Sequence, residues 1–252
     1  MHNAAYEALG IAFTYVPFRV TDLPSAMSGM RALGIRGFGI SMPYKQAIMP
    51  LLDEIDPEAR NIGAVNTVVN ADGRLTGYNT DGVGALRALR EVDLPTRPRI
   101  LLLGAGGAAR AVAHGLLALQ PDLCIANRTV EKAREIAAQI GARFAATNES
   151  ERASEYDVVI NASSVGMGDV ASGSPVSKSV FRKGLVVMDI VYKPIHTDLL
   201  RDAADAGATI IHGGRMLLHQ AARQFELYTG RDAPLDVMDR ALRSQIAFDI
   251  PN

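Results

Sequence analysis

Three short stretches carry chemically capable side chains toward one glycine-rich turn. GISMPYKQ (39–46) holds Lys45, GAVNTVV (63–69) holds Asn66 and GYNTDGVGA (77–85) holds Asp81; all three precede GAGGAAR (104–110). When an alcohol becomes a ketone it loses a hydride and a proton, and a lysine beside a carboxylate can relay that proton. A dinucleotide seated on the glycine turn would take the hydride. Each residue also has an ordinary role open to it. Lys45 can be a solvated first-turn lysine, although the positive end of a helix is an unfavourable place for a cation. Asp81, after Asn79 and Thr80, can cap a helix, and the Asn66 amide can satisfy a hairpin backbone as readily as a substrate hydroxyl.

The turn itself reads as a nucleotide cradle. LLLGAGGAAR places Gly104, Ala105, Gly106, Gly107 and Ala108 where an apolar strand turns into a helix, so their amides can face a pyrophosphate, with Ala109 at the third fingerprint position. The next strand ends in Asn127-Arg128-Thr129, with Lys132 one turn later, where an NAD enzyme would usually offer a carboxylate to the ribose. Positive charge and hydrogen-bond donors there favour a 2′-phosphate, and therefore NADP over NAD. The alternative is that Thr129 caps the helix and Arg128 is solvated.

Bulk composition narrows the partners. With 252 residues, 48% apolar and 21% charged, and a formal net charge of -1, the chain reads as a globular protein with a substantial core. It has no electrostatic reason to bind nucleic acid or an acidic membrane, so a small molecule is the expected partner. Cys124 is the only cysteine, which removes any intramolecular disulfide and any C-x-x-C site, and in DLCIAN it reads as a buried strand thiol. No metal is expected, because Asp53, Glu54, His212 and His219 do not form a ligand set at their spacings. These two histidines, with His114 and His196, read as structural or surface residues. No apolar run approaches the roughly 18 residues of a membrane helix, and no signal segment opens the sequence, so the expected location is cytoplasmic.

Apolar β-like runs alternate with helical patterns, predicting an α/β fold of two domains. A mixed α/β substrate domain is expected over 1–95, with the helices of 214–252 packing back on it, and a Rossmann-type dinucleotide-binding domain over 96–213. In the first, FTYVPF (13–18) reads as a strand, 23–34 as a helix and FGIS (38–41) as a strand. QAIMPLLDEI reads as a helix, and 64–70 with 74–79 as a hairpin turning at Ala71-Asp72-Gly73. A helix opens at Asp81 and runs to about Arg90. Then come strand 100–103, helix 107–119, strand 123–126, helix 130–140, strand 156–161, a final strand ATIIH, and helices 214–229 and 235–247. The stretch 168–177 reads as a surface loop. Leu217, Leu218 and Phe225 fit a buried stripe, and Gln220 shares a helix face with Met216.

The chain resembles the shikimate dehydrogenase family. The motifs that carry the resemblance are GxxxSMPxK around Lys45, GAVNT (63–67), NTDxxG (79–84), GAGGxxR (104–110), NRT (127–129) and GxMLxxQ (214–220), spread over almost the whole chain. The resemblance implies an NADP-dependent interconversion of 3-dehydroshikimate and shikimate in aromatic amino acid biosynthesis; the expected assembly is a monomer or homodimer. It implies Lys45 and Asp81 as the catalytic pair, with the substrate in a cleft between domains that closes on binding. Asn66 and Gln220 would hold substrate hydroxyls, Ser41 and Tyr192 would add contacts, and Ala162, Ser163, Gly214 and Met216 would lie near the cofactor.

The chain departs from that family at two places. An N-terminal strand and a carboxylate-gripping S-x-S-P loop usually precede the His-Asn pair, whereas this sequence starts at Met1-His2-Asn3; a shortened or misassigned start is the expectation. Gly39-Ile40-Ser41 stands where Asn-Val-Thr is usual, a mark of a divergent shikimate dehydrogenase-like branch, and Gly39 is expected to loosen the loop bearing Lys45. The alternatives are a quinate-type dehydrogenase, a folate one-carbon dehydrogenase, which the absence of Tyr at Ser41 disfavours, and a non-catalytic NADP-binding sensor.

Overall fold

The computed structural model describes residues 1–168 and 171–248, and the chain divides into two compact units: Met1–Thr80 with Gln220–Asn252, and Asp81–His219. The division thus falls at 80/81 and 219/220, where composition had suggested 95/96 and 213/214. The helix opening at Asp81 accounts for the first difference, because it packs on a helix of the second unit through a contact between two glycines. The expected loop over 168–177 lies partly outside the described residues, at Asp169 and Val170.

In the first unit a four-stranded mixed sheet runs in the order β1 (Gly37–Gly39), β3 (Thr67–Ala71), β4 (Arg74–Tyr78), β2 (Glu54–Ile55). The hairpin β3–β4 turns where expected. Asp72 and Gly73 both take positive φ, the geometry that suits the right-handed twist of the flanking strands, and the Asn70 side chain accepts the Gly73 N–H at 2.8 Å. Helix α4 (Pro57–Ile62) begins with a proline after the cap Asp56 and stops at Gly63 in the left-handed region. Met27, Phe38, Ile48, Val65, Val68 and Leu75 form the core beneath. Helix α10 (Leu235–Phe248) packs on α1 (His2–Ala8).

Two expectations for this unit fail. Residues 13–18 are not a strand, because the Asn3 side-chain amide takes both the N–H and the C=O of Tyr15, at 2.7 and 2.9 Å, and Pro17 has no N–H to give a ladder. The segment 46–55 is not one helix either. Pro50 reduces it to the short α3 (Tyr44–Ala47) and a single 3₁₀ turn, and Glu54–Ile55 then pairs parallel to β4.

The second unit is a six-stranded, all-parallel sheet in the order β10 (Thr209–Ile211), β9 (Val186–Asp189), β8 (Val158–Asn161), β5 (Arg99–Leu103), β6 (Asp122–Ala126), β7 (Arg143–Ala145). That is the doubly wound order of dinucleotide-binding sheets, whose ligands lie beyond the carboxyl ends of the strands at the point where the winding reverses. The strands are apolar on both faces because each face is covered: Ile100, Leu102, Val112, Ile125 and Ile160 on one side, Leu101, Cys124, Val159, Val187 and Leu199 on the other. Helices α5 (Asp81–Leu89) and α6 (Gly107–Leu116) meet at Gly82 and Gly115. A Cβ on Gly115 would stand 2.3 Å from Gly82 O, and one on Gly82 2.6 Å from Ala111 O.

Candidate active site

In the first unit a chain of hydrogen bonds gathers residues from four parts of the sequence. The Lys45 carbonyl, in α3, accepts the Val65 N–H at 2.8 Å, and the Asn66 N–H reaches Tyr78 O at 3.0 Å. The Asn66 side chain is 3% exposed; its Nδ2 donates to Thr80 Oγ1 at 3.0 Å and its Oδ1 accepts Thr80 N–H at 2.9 Å. Thr80 Oγ1 donates in turn to Gln220 Oε1 at 3.3 Å, on helix α9 (Gly213–Thr229). Asn66 therefore serves the local backbone and also joins a polar set, so its two sequence readings are not exclusive. One turn after Gln220, Gln224 Nε2 donates to Thr67 Oγ1 at 3.0 Å, and its Oε1 lies 3.3 Å from His2 Nε2. Burial lowers the His2 pKa to about 4, so the ring is neutral at physiological pH. Asp81, the residue after Thr80, is buried in the first turn of α5, where the helix dipole favours its negative charge.

The second unit builds the cradle. Gly104 has φ of +111°, and a Cβ there would stand 2.7 Å from Ala162 O, so only glycine lets β5 turn against the end of β8. Gly106 and Gly107 are exposed with open space where a Cβ would point, and the start of α6 has no side-chain cap. Bare amide donors at a helix N-terminus suit a diphosphate. At the end of β6, Arg128, Thr129 and Lys132 are exposed, and Asn127 Nδ2 holds the turn by donating to Thr129 O at 2.9 Å. Thr129 is the N-cap of α7 (Val130–Ile140) but makes no capping bond, which removes the main competing role for its hydroxyl. The residues present thus fit a 2′-phosphorylated dinucleotide.

At the start of α9, Gly214 and Met216 are buried, and Arg215 and His219 converge on Glu91. Arg215 Nε donates to Glu91 Oε2 at 2.7 Å, and His219 Nε2 lies 2.7 Å from Oε1. Burial alone would raise the Glu91 carboxyl, but the bonds from Arg215 and His219 outweigh it and hold the pKa below 4.5. A depressed carboxylate contributes stability above its unfolded pKa and loses it as pH falls through the folded value. Glu91→Gln should therefore lower Tm at neutral pH, with a difference from the wild type that shrinks as pH falls below 4.5; a constant difference would remove Glu91 from the acid response.

Comparison with known proteins gives three family matches along the chain: Shikimate dehydrogenase substrate binding domain at residues 1–68, Shikimate / quinate 5-dehydrogenase at 87–192, and Shikimate 5'-dehydrogenase C-terminal domain at 213–243. A relative from Pyrococcus furiosus named Shikimate dehydrogenase (NADP(+)) is 44% identical over 95% of this chain and 88% of its own. The chain belongs to the shikimate dehydrogenase family. Two solved structures of that family agree. A shikimate dehydrogenase in complex with NADP+ superposes with TM-score 0.90 at 39% identity, covering 97% of this chain and 89% of its own. The Thermus thermophilus enzyme in complex with NADP(H) and shikimate gives 0.88 at 36%, covering 96% and 92%.

Within this chain, the first unit joins Asn66 and Gln220 through Thr80 and ties the Lys45 backbone to Val65, while Ser41 is exposed at the start of the α3 turn, its carbonyl accepting Tyr44 N–H at 3.0 Å. Tyr192 is 53% exposed in the loop after β9, and Ala162 and Ser163 follow β8. Gly39 has a steric role as well. A Cβ there would stand 2.7 Å from Tyr15 Oη, so Gly39 leaves room for the hydroxyl of Tyr15, whose ring stacks on His2 at 4.5 Å between centroids. Sequence reasoning missed Thr80, Tyr15 and Gln224. The i, i+4 spacing of Gln220 and Gln224 on one helix face was the available signal for the last. Among the described residues no metal-binding cluster is present and no helix is long and apolar enough to cross a membrane.

Proposed function

We propose that this chain interconverts 3-dehydroshikimate and shikimate and serves aromatic amino acid biosynthesis. The chain is an NADP-dependent oxidoreductase of its family. The main support for the narrower reading is the bonded set of Asn66, Thr80 and Gln220, which places two amides suited to substrate hydroxyls beside the segment bearing Lys45 and immediately before Asp81.

In this reading Lys45 gives its proton to the carbonyl oxygen during reduction and recovers one from the alcohol during oxidation. Asp81 would complete the catalytic pair as its carboxylate member. Asn66 and Gln220 fix the ring through its hydroxyls, with Ser41 and Tyr192 adding contacts at its edge. NADP, when bound, supplies or accepts the hydride. Amides of Gly104, Ala105, Gly106, Gly107 and Ala108 would hold its diphosphate. Asn127, Arg128, Thr129 and Lys132 would hold the 2′-phosphate, and Ala162, Ser163, Gly214 and Met216 would lie near the cofactor.

Two measurements test this. Turnover with shikimate and with quinate, each against NADP+ and NAD+, should favour shikimate with NADP+; cofactor binding without turnover of either acid would contradict it. Arg128→Asp should lower kcat/KM for NADP+ relative to NAD+ by about 10- to 100-fold, the worth of a charge-assisted hydrogen bond. An unchanged ratio would take Arg128 out of cofactor choice.

A further inference from the structure

The carboxyl ends of β8 and β9 carry a buried polar pair for which the proposed chemistry has no use. Asn161 and Asp189 are register partners in the parallel ladder, and both are fully buried. The residues before them, Val158–Ile160 and Val186–Met188, are apolar and buried, so the polar pair sits where each strand gives way to its loop. Asp189 Oδ1 accepts from Asn161 Nδ2 at 3.0 Å and from Val191 N–H at 3.0 Å, and Oδ2 accepts from Thr197 Oγ1 at 2.7 Å. Asn161 passes the restraint on. Its Nδ2 also donates to Val165 O at 2.9 Å, and its Oδ1 accepts from Ser163 N–H at 3.1 Å and Ser163 Oγ at 2.6 Å.

One carboxylate therefore ties down two loops. The first, 162–168, carries Ala162 and Ser163. The second, 190–197, carries Tyr192, and it ends at Thr197, whose Oγ1 accepts Leu200 N–H and caps α8 (Asp198–Asp205). The loops also run close to each other, since a Cβ added to Gly166 would stand 3.4 Å from Thr197 Cβ. Burying a carboxylate with only neutral donors as partners is costly, and a well-packed apolar pair would hold the sheet at least as well. An apolar pair could not fix the backbone of two loops at once.

We propose that Asp189 is a positioning residue, which with Asn161 and Thr197 sets the conformation of the loops bearing Ser163 and Tyr192 and so governs how closely substrate and nicotinamide are held. It touches neither. This inference rests on the functional reading above and deepens it.

The test compares Thr197→Val, which keeps side-chain shape but removes the hydroxyl, with Thr197→Ser, which keeps the hydroxyl, and with Asp189→Asn. Hydrogen exchange of the cofactor-free protein reads the loops directly. Thr197→Val should speed exchange across both 162–168 and 190–197, although the substitution lies in only one of them, and Thr197→Ser should not. In steady-state turnover with shikimate and NADP+, Thr197→Val should lose about 10- to 100-fold in kcat/KM, the scale of an ångström-level misplacement, and Thr197→Ser should restore it. Asp189→Asn should fall between them, because Thr197 Oγ1 can rotate to accept from the new amide. A Thr197→Val protein with a lower Tm but unchanged kinetics, or with exchange altered only around 190–197, would overturn the proposal and leave Asp189 a structural residue. If the wild type turns over no polyol acid, the functional reading fails, and the exchange result still decides whether one carboxylate couples the loops.

Discussion

Replacing Lys45 with methionine is expected to lower kcat for shikimate oxidation by about 10²- to 10⁴-fold while the protein stays folded. The anchoring of Lys45 explains why the two effects separate. Its backbone carbonyl accepts the Val65 N–H, a bond that methionine keeps, and the side chain is only half-buried, so an unbranched apolar stem can occupy the same path. What methionine removes is the amine of the 39–46 loop. Asp81→Asn should act in the same direction and should not multiply the Lys45 effect, since residues acting as a unit lose activity non-additively. A Lys45→Met protein within about threefold of wild-type kcat would move the proton transfer elsewhere.

The second large effect is structural. Gly115→Val is expected to destabilise the second unit by about 3 kcal/mol or more, the upper range for overpacking a close-packed contact. The neighbour of the added Cβ would be the Gly82 backbone, 2.3 Å away at the carbonyl oxygen, and backbone cannot swing aside as a side chain can. Calorimetry should show Tm lowered by about 6–12 °C. Gly106→Ala is the control. Its Cβ would meet nothing within 4 Å, so stability should hold while NADP+ affinity falls because the methyl intrudes on the cradle. Equal Tm losses in the two variants would mean that the α5–α6 contact is not the tight one.

The Gly82–Gly115 contact also marks the limit of what the sequence made legible. The second unit was readable because parallel strands buried on both faces give continuous apolar runs, as in ILLL and VVI, and because a glycine turn punctuates the first of them. The hairpin was readable from Asp72-Gly73. Residues 13–18 looked like a strand by composition, yet nothing local revealed that the Asn3 amide would take the backbone groups of Tyr15. The Gly82–Gly115 contact and the Asn161–Asp189 pair join positions about 30 residues apart. Gly, Asn and Asp at those places look like turn residues until the partner is known. Thr80 was hidden in plain view inside the NTD motif: its neighbours looked chemical, and the hydroxyl linking Asn66 to Gln220 did not.

The central claim is that the chain moves a hydride to and from a polyol-acid ring carbon with Lys45 handling the proton. NADPH carrying deuterium at its transferable position, incubated with 3-dehydroshikimate and the wild-type protein, tests it most directly. The label is expected on the alcohol carbon of shikimate by mass spectrometry, at a rate that collapses in Lys45→Met although NADPH still binds. Tight NADPH binding with no deuterium transferred would contradict the account.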